Sequence, residues 1–329
     1  MARLGETVAA LLRGKRKAKP DPSAAARPPT GLSEVKAFGT NPGGLKMFIH
    51  RPANLAPGAP LVVVLHGCGQ NAGFAGAAGW IQLADRLGFG VLAPQQRVAN
   101  NPNRCFNWFQ GADIGRGAGE AASIRQMVAA ALASTAGDPE RVYVTGLSAG
   151  GAMAAVMLAA YPELFAGGAV LSGIAYRAAE GLAEGFRVMR NGAPQRSADE
   201  WAALVRSASP HTGPWPRVSI WHGGADGVVH PDNAQAIARQ WAAVHGLQEG
   251  PNQVDTGAAR RRTAWGSASA PAVELYLIDG FGHGAPIAGS GPEGLGHAGA
   301  FVMESGISST LEIARFWGLD APPHRAGRR

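Results

Sequence analysis

The chain is short of charge, of cysteine and of long apolar runs, and each shortage removes a class of protein. Of 329 residues only 16% are charged against 46% hydrophobic, which is too apolar for an intrinsically disordered chain and ample for one large core. Two cysteines, Cys68 and Cys105, cannot build a disulfide framework, and by themselves they fit a reducing or an oxidising compartment. No run approaches the roughly 18 consecutive apolar residues of a membrane span, so the expectation is a soluble chain with no span. Near the start, the apolar stretch of residues 8–12 is short and the basic cluster follows it. That order inverts a secretory leader and points to the cytoplasm.

Glycine and proline are plentiful instead, 47 and 23 residues, a composition suited to many loops between buried elements rather than to a coiled coil or helical bundle. The formal net charge of +7 invites a nucleic-acid reading, but its distribution argues otherwise. Residues 1–21 carry Arg3, Arg13, Lys15, Arg16, Lys17 and Lys19 against Glu6 and Asp21, and Arg325, Arg328 and Arg329 close the chain. The tails therefore hold the whole surplus. The body between them is neutral, so solvated ends fit better than a nucleic-acid partner.

Residues 1–30 read as a basic, Pro/Ala-rich tail and linker, residues 31–320 as one α/β domain, and residues 321–329 as a basic tail. Within the body, short apolar runs alternate with helix-like stretches, the pattern of a mostly parallel sheet with helices on both faces. The expected strands are 61–65, 89–93, 142–145, 168–171, 218–222 and 273–278, all apolar without clean alternation, as strands buried on both faces should be. The expected helices are 80–87, 118–133, 149–160, 199–206, 233–245 and 308–316. Two stretches break the alternation, 174–198 and 246–271, and read as insertions over or beside the sheet.

Gly146-Leu-Ser148-Ala-Gly150 matches the nucleophile-elbow pattern, a serine on a sharp strand-to-helix turn. Glycine is so common here that the match is weak alone. Its context strengthens it, because a buried strand leads in and a strong helix former leads out. A serine hydroxyl needs a histidine to take its proton and an acid to orient that histidine. In the order Ser, acid, His, Asp226 follows the strand at 218–222 and His283 follows the strand at 273–278. Asp232 and Asp279 are the alternative acids, although Asp232 is better explained as a helix-start residue. His297 and, remotely, His324 are the alternative bases, whereas His222 and His66 fall on the wrong side in chain order. The loop after residues 61–65 would supply the Cys68 backbone N–H to an oxyanion hole, with Ala149 as the second donor. Cys68 as a nucleophile itself is a rival reading, but nothing in its context would lower its pKa.

Six ordered segments, Leu65-His-Gly-Cys-Gly-Gln-Asn71, Cys105-Phe-Asn-Trp-Phe109, Arg116-Gly-Ala-Gly-Glu-Ala-Ala-Ser-Ile124, Gly146-Leu-Ser-Ala-Gly-Gly-Ala-Met-Ala154, Trp221-His-Gly-Gly-Ala-Asp226 and Gly280-Phe-Gly-His283, resemble the polyhydroxybutyrate (PHB) depolymerase family of α/β-hydrolase esterases. The resemblance implies an α/β-hydrolase fold, a Ser148, Asp226 and His283 triad, and an oxyanion hole at the Cys68 and Ala149 backbones. It implies Asn107 and Trp108 as substrate-binding residues near the site's mouth, with core packing an equal competitor for Phe109. It also implies loops that bring Cys68 and Cys105 close enough for a disulfide in an oxidised sample. Two features depart from the family. The histidine loop reads Gly-His-Gly-Ala-Pro where an aromatic residue often follows the histidine, and little chain follows the helix at 308–316, leaving no room for a polymer-binding module.

The expected activity is cofactor-free and metal-free hydrolysis of short 3-hydroxyalkanoate esters or oligomers rather than solid granules. A feruloyl or acetyl-xylan esterase is the alternative, and a non-catalytic binding protein on the same fold is the remote one. Many relatives by this resemblance are extracellular, which is the alternative to the cytoplasm.

Overall fold

The structure is a computed structural model that describes residues 31–248, 250–257 and 259–320. The two tails, and with them His324, lie outside the described residues. Ten strands, β1 (Ser33–Val35), β2 (Lys46–His50), β3 (Leu61–Leu65), β4 (Gly90–Gln95), β5 (Val142–Leu147), β6 (Gly167–Leu171), β7 (Arg217–Gly223), β8 (Gln253–Thr256), β9 (Arg260–Gly266) and β10 (Pro271–Ile278), form one sheet in the order β1-β2-β4-β3-β5-β6-β7-β10-β9-β8. From β4 across to β10 every pairing is parallel, and the flanking strands pair antiparallel. A separate pair, β11 (Ala285–Ile287) and β12 (Val302–Glu304), follows the main sheet.

The longer helices are α1 (Trp80–Leu87), α2 (Gly119–Thr135), α3 (Ala149–Ala160), α4 (Gly181–Asn191), α5 (Ala198–Arg206), α6 (Asp232–Val244) and α7 (Ser309–Trp317). On one face of the sheet α2, α3, α5 and α6 pack over Met47, Val63, Leu65 and Val144. On the other, α1 and α7 cover Val62, Val64, Tyr143 and Trp221. There Trp317 stacks on Tyr143 at 4.8 Å and Trp221 on Tyr276 at 3.9 Å. Burial on both faces explains why β3, Leu-Val-Val-Val-Leu, is buried at every position and shows no alternation.

All six expected strands form, and all six expected helices form with ends within two residues of expectation. The segment 174–198 contains a helix of its own, α4. The segment 246–271 differs more from expectation: β8 and β9 continue the sheet itself. They are held there by the β9–β10 ladder and by Arg262, whose guanidinium meets the buried Glu274 carboxylate at 2.8 Å. A polar edge strand carries no apolar run, so its pairing was invisible to hydrophobic patterning. At α6, Pro231 occupies the N-cap and Asp232 is the first helical residue, its side chain in solvent.

Candidate active site

Parallel strands present their carboxyl ends on one edge, so the turns after β5, β7 and β10 open on the same side of the sheet. Ser148 lies at the β5–α3 turn with φ 57° and ψ −119°, a conformation that costs an L-residue about 1–3 kcal/mol. The turn is held by its surroundings: Ser148 N–H donates to Leu171 O and Ser148 O accepts from Ala152 N–H, both at 2.9 Å. A Cβ on Gly146 would run into the Gly150 carbonyl, and one on Gly150 into the carbonyls of Leu65 and His66. Both glycines are therefore required for the strand and helix to meet at so sharp an angle. The result is a half-buried hydroxyl at the N-terminus of a twelve-residue helix, where the helix dipole favours negative charge.

Asp226 and His283, 57 residues apart, meet through Nδ1–H donating to Oδ2 at 2.7 Å. A carboxylate only accepts, so the hydrogen sits on Nδ1 and Nε2 is left free to accept. The Oδ1 atom of Asp226 takes the N–H groups of Val228 and Val229, each at 2.9 Å. Burial alone would raise this carboxyl, but hydrogen bonds from His222 and His283, the charge on His283 and the Val229 N–H outweigh it and hold Asp226 far below the ordinary carboxylate range. The alternatives Asp279 and His297 are exposed side chains.

The loop after β3 contains Cys68. It is fastened by Gly67 N–H to Gln70 Oε1 (2.7 Å), Gln70 Nε2 to Ala300 O (2.7 Å) and Gly69 N–H to Asn103 O (2.7 Å). Among the described residues no hydrogen bond engages the backbone N–H of Cys68 or of Ala149, as a pair of donors for an external oxygen requires. Beneath the loop, burial lowers His66 to about 4. The neutral ring donates from Nδ1 to Gly67 O (2.8 Å) and accepts Gln96 N–H at Nε2 (3.1 Å). Cys68 and Cys105 are joined in a disulfide with Cα atoms 4.2 Å apart, which ties this loop to the segment 105–109 and leaves no thiol to act as a nucleophile.

In that segment Asn107 is buried with both ends of its amide engaged: Nδ2 donates to Glu120 Oε1 (2.7 Å) and Oδ1 accepts from Asn101 Nδ2 (3.0 Å). Trp108 is also buried, edge-on to Phe109 at 5.3 Å, with Gly185 of α4 against its ring. Glu120 was not singled out in the sequence, although it stands as the lone carboxylate among small residues at the start of α2. Its buried carboxylate also receives Asn107 N–H at 2.9 Å, and burial pushes it up to about 8 against those donors.

A parallel-centred sheet covered on both faces, with a glycine-framed serine elbow at its carboxyl edge, defines an α/β-hydrolase. The comparisons narrow the class. The family profile described as "Esterase PHB depolymerase" matches residues 46–264. The chain is 44% identical over 291 residues, 88% of its own length and 70% of the relative's, to "Poly(3-hydroxyalkanoate) depolymerase C" of Paucimonas lemoignei. It is 34% identical over 278 residues, 82% of its length and 73% of the relative's, to an "Acetylxylan esterase" of Coprinopsis cinerea. Among solved structures, "Acetyl xylan esterase from Aspergillus awamori" superposes with a TM-score of 0.75 at 25% identity, covering 88% of this chain and 99% of that one. The chain belongs to the PHB depolymerase esterase family and is a carboxylic ester hydrolase.

Proposed function

We propose that the protein hydrolyses short 3-hydroxyalkanoate esters or oligomers through an acyl-enzyme formed on Ser148. Ser148 Oγ attacks the ester carbonyl while His283 Nε2 takes its proton, and the same proton then goes to the departing alcohol oxygen as the C–O bond breaks. Water, deprotonated by His283, attacks the acyl-enzyme and returns Ser148 and a free acid. The oxyanion of each tetrahedral intermediate lies against the N–H groups of Cys68 and Ala149. Asp226 fixes the tautomer of His283, and the Asp226–His283 hydrogen bond is the observation that carries this reading.

Trp108 forms a wall of the acyl or alcohol pocket in this reading, and Asn107, bonded to Glu120, anchors that wall from behind. The likeness to a poly(3-hydroxyalkanoate) depolymerase supports the hydroxyalkanoate substrate. The acetyl xylan esterase likeness in both sequence and structure supports acetylated xylan as the second reading. The Cys68–Cys105 disulfide favours an oxidising compartment over the cytoplasm.

Ser148→Ala is expected to remove turnover of 4-nitrophenyl butyrate and labelling by a fluorophosphonate while circular dichroism stays unchanged. Retained turnover would refute the nucleophile. A 3-hydroxybutyrate trimer assayed beside acetylated xylo-oligosaccharide separates the two substrate readings by kcat/KM.

A further inference from the structure

Chain order rules His222 out as the base, yet the fold places it, fully buried, at the end of β7 beside Asp226. Its Nε2 lies 2.9 Å from Val229 O and 3.3 Å from Asp226 Oδ2. Both are acceptors, so Nε2 carries the hydrogen and shares it between them. Nδ1 is buried with no partner, so a second hydrogen there would have no acceptor, and the ring stays in its Nε2–H form. Asp226 Oδ2 therefore receives two imidazole donors, His283 directly and His222 at the longer distance.

We propose that His222 is a positioning residue for ester hydrolysis: its shared Nε2–H holds the Asp226 carboxylate in the orientation that receives His283 Nδ1–H. The same hydrogen also ties Val229, whose own N–H bonds Asp226 Oδ1, so one imidazole fixes the carboxylate and the turn that cradles it. A neutral donor has an advantage over a cationic one there. It fills the carboxylate's remaining lone pair without competing with the imidazolium that forms on His283 during attack.

The inference rests on the reading of Ser148, His283 and Asp226 given above. Its test uses the full chain with His222→Leu, His222→Asn and His222→Gln, each checked for cooperative thermal unfolding. Gln places an amide N–H about where Nε2 lies, and Asn stops short. The Leu and Asn variants are expected to lose about tenfold in kcat, the loss of one buried hydrogen bond, with KM changed by less than about twofold. The downfield proton resonance of the Asp226–His283 hydrogen bond should weaken or move in both. Gln should restore that resonance and most of kcat.

Equal losses in the Gln and Asn variants, or wild-type kcat and an unmoved resonance in Asn, overturn the proposal. The Asn and Gln pair decides the matter even if Leu fails to fold. Ser148→Ala and Asp226→Asn serve as controls. Activity in those two would defeat the active-site reading itself, whereas inactive controls beside unimpaired His222 variants would defeat only the role of His222.

Discussion

The two halves of the site are anchored by different chemistry. Around Cys68 the loop is fastened by a disulfide, by neutral hydrogen bonds from Gly67, Gly69 and Gln70, and by a neutral His66. Around Asp226 there is no cross-link. Two backbone N–H groups and two imidazoles converge on one carboxylate instead. In the proposed mechanism the first half needs only to hold two backbone donors still, and a covalent tie does that regardless of charge. In the proposed mechanism the second half changes charge during each turnover, and its groups form hydrogen bonds that would strengthen as His283 becomes cationic.

The contrast can be broken most severely on the charged side. Asp226→Asn is expected to lower kcat by about 10⁴, the size seen when an acid that fixes the histidine tautomer becomes an amide, and steady-state kinetics on a nitrophenyl ester measures it. Because Asp226 is held below its ordinary range, it favours the folded state at every pH above the unfolded value. That contribution fades only as pH falls through the lower folded value, so this half withstands mild acid.

On the cross-linked side, reduction of Cys68–Cys105, or replacement of both by Ala, should lower the unfolding free energy by about 3–4 kcal/mol for a loop of 37 residues. Urea unfolding with and without a phosphine reductant reads the difference. The loss should fall on the loop after β3 and the segment 105–109 and leave the Asp226–His283 resonance in place. A reduced protein that has lost that resonance would show that the halves are not independent.

A pH dependence is expected from Glu120, which bears on the cross-linked half alone. Its folded value near 8 lies above the unfolded value, so between the two the folded state holds a proton that the unfolded state has released. Stability from this group is then lost as pH rises from about 4.5 to about 8. Glu120→Gln should flatten that slope in denaturation at pH 5, 7 and 9. A slope unchanged by the substitution would show that another group titrates.

Much of this was legible in the chain itself. Strands β3 to β7 and β10 announce themselves as apolar runs because both faces of the sheet are covered, and α3 follows Ser148 at once because its residues are strong helix formers. The pairing of Asp226 with His283 followed from chain order and glycine-framed loops. Edge strands did not show themselves. Strand β8 is Gln-Val-Asp-Thr and β9 begins Arg-Arg-Arg, and neither pattern differs from a polar loop until β10 offers a ladder and Glu274 a carboxylate to Arg262. The resemblance implied Asn107 as a substrate-binding residue, and the structure buries it. The engagement of its amide was not foreseen: Nδ2 donates to Glu120 and Oδ1 accepts from Asn101.

By itself, then, the sequence determined the order of buried strands, the serine turn and the pairing of Asp226 with His283. Those depend on local hydrophobicity, on glycines where backbones must touch, and on loop placement after strands. Tertiary structure alone decided which polar groups are buried together: His222 on Asp226, and Glu120 with Gln96 and Asn107. A buried polar side chain is specified by the partner that satisfies it, and neither periodicity nor spacing records which way that side chain turns to meet it.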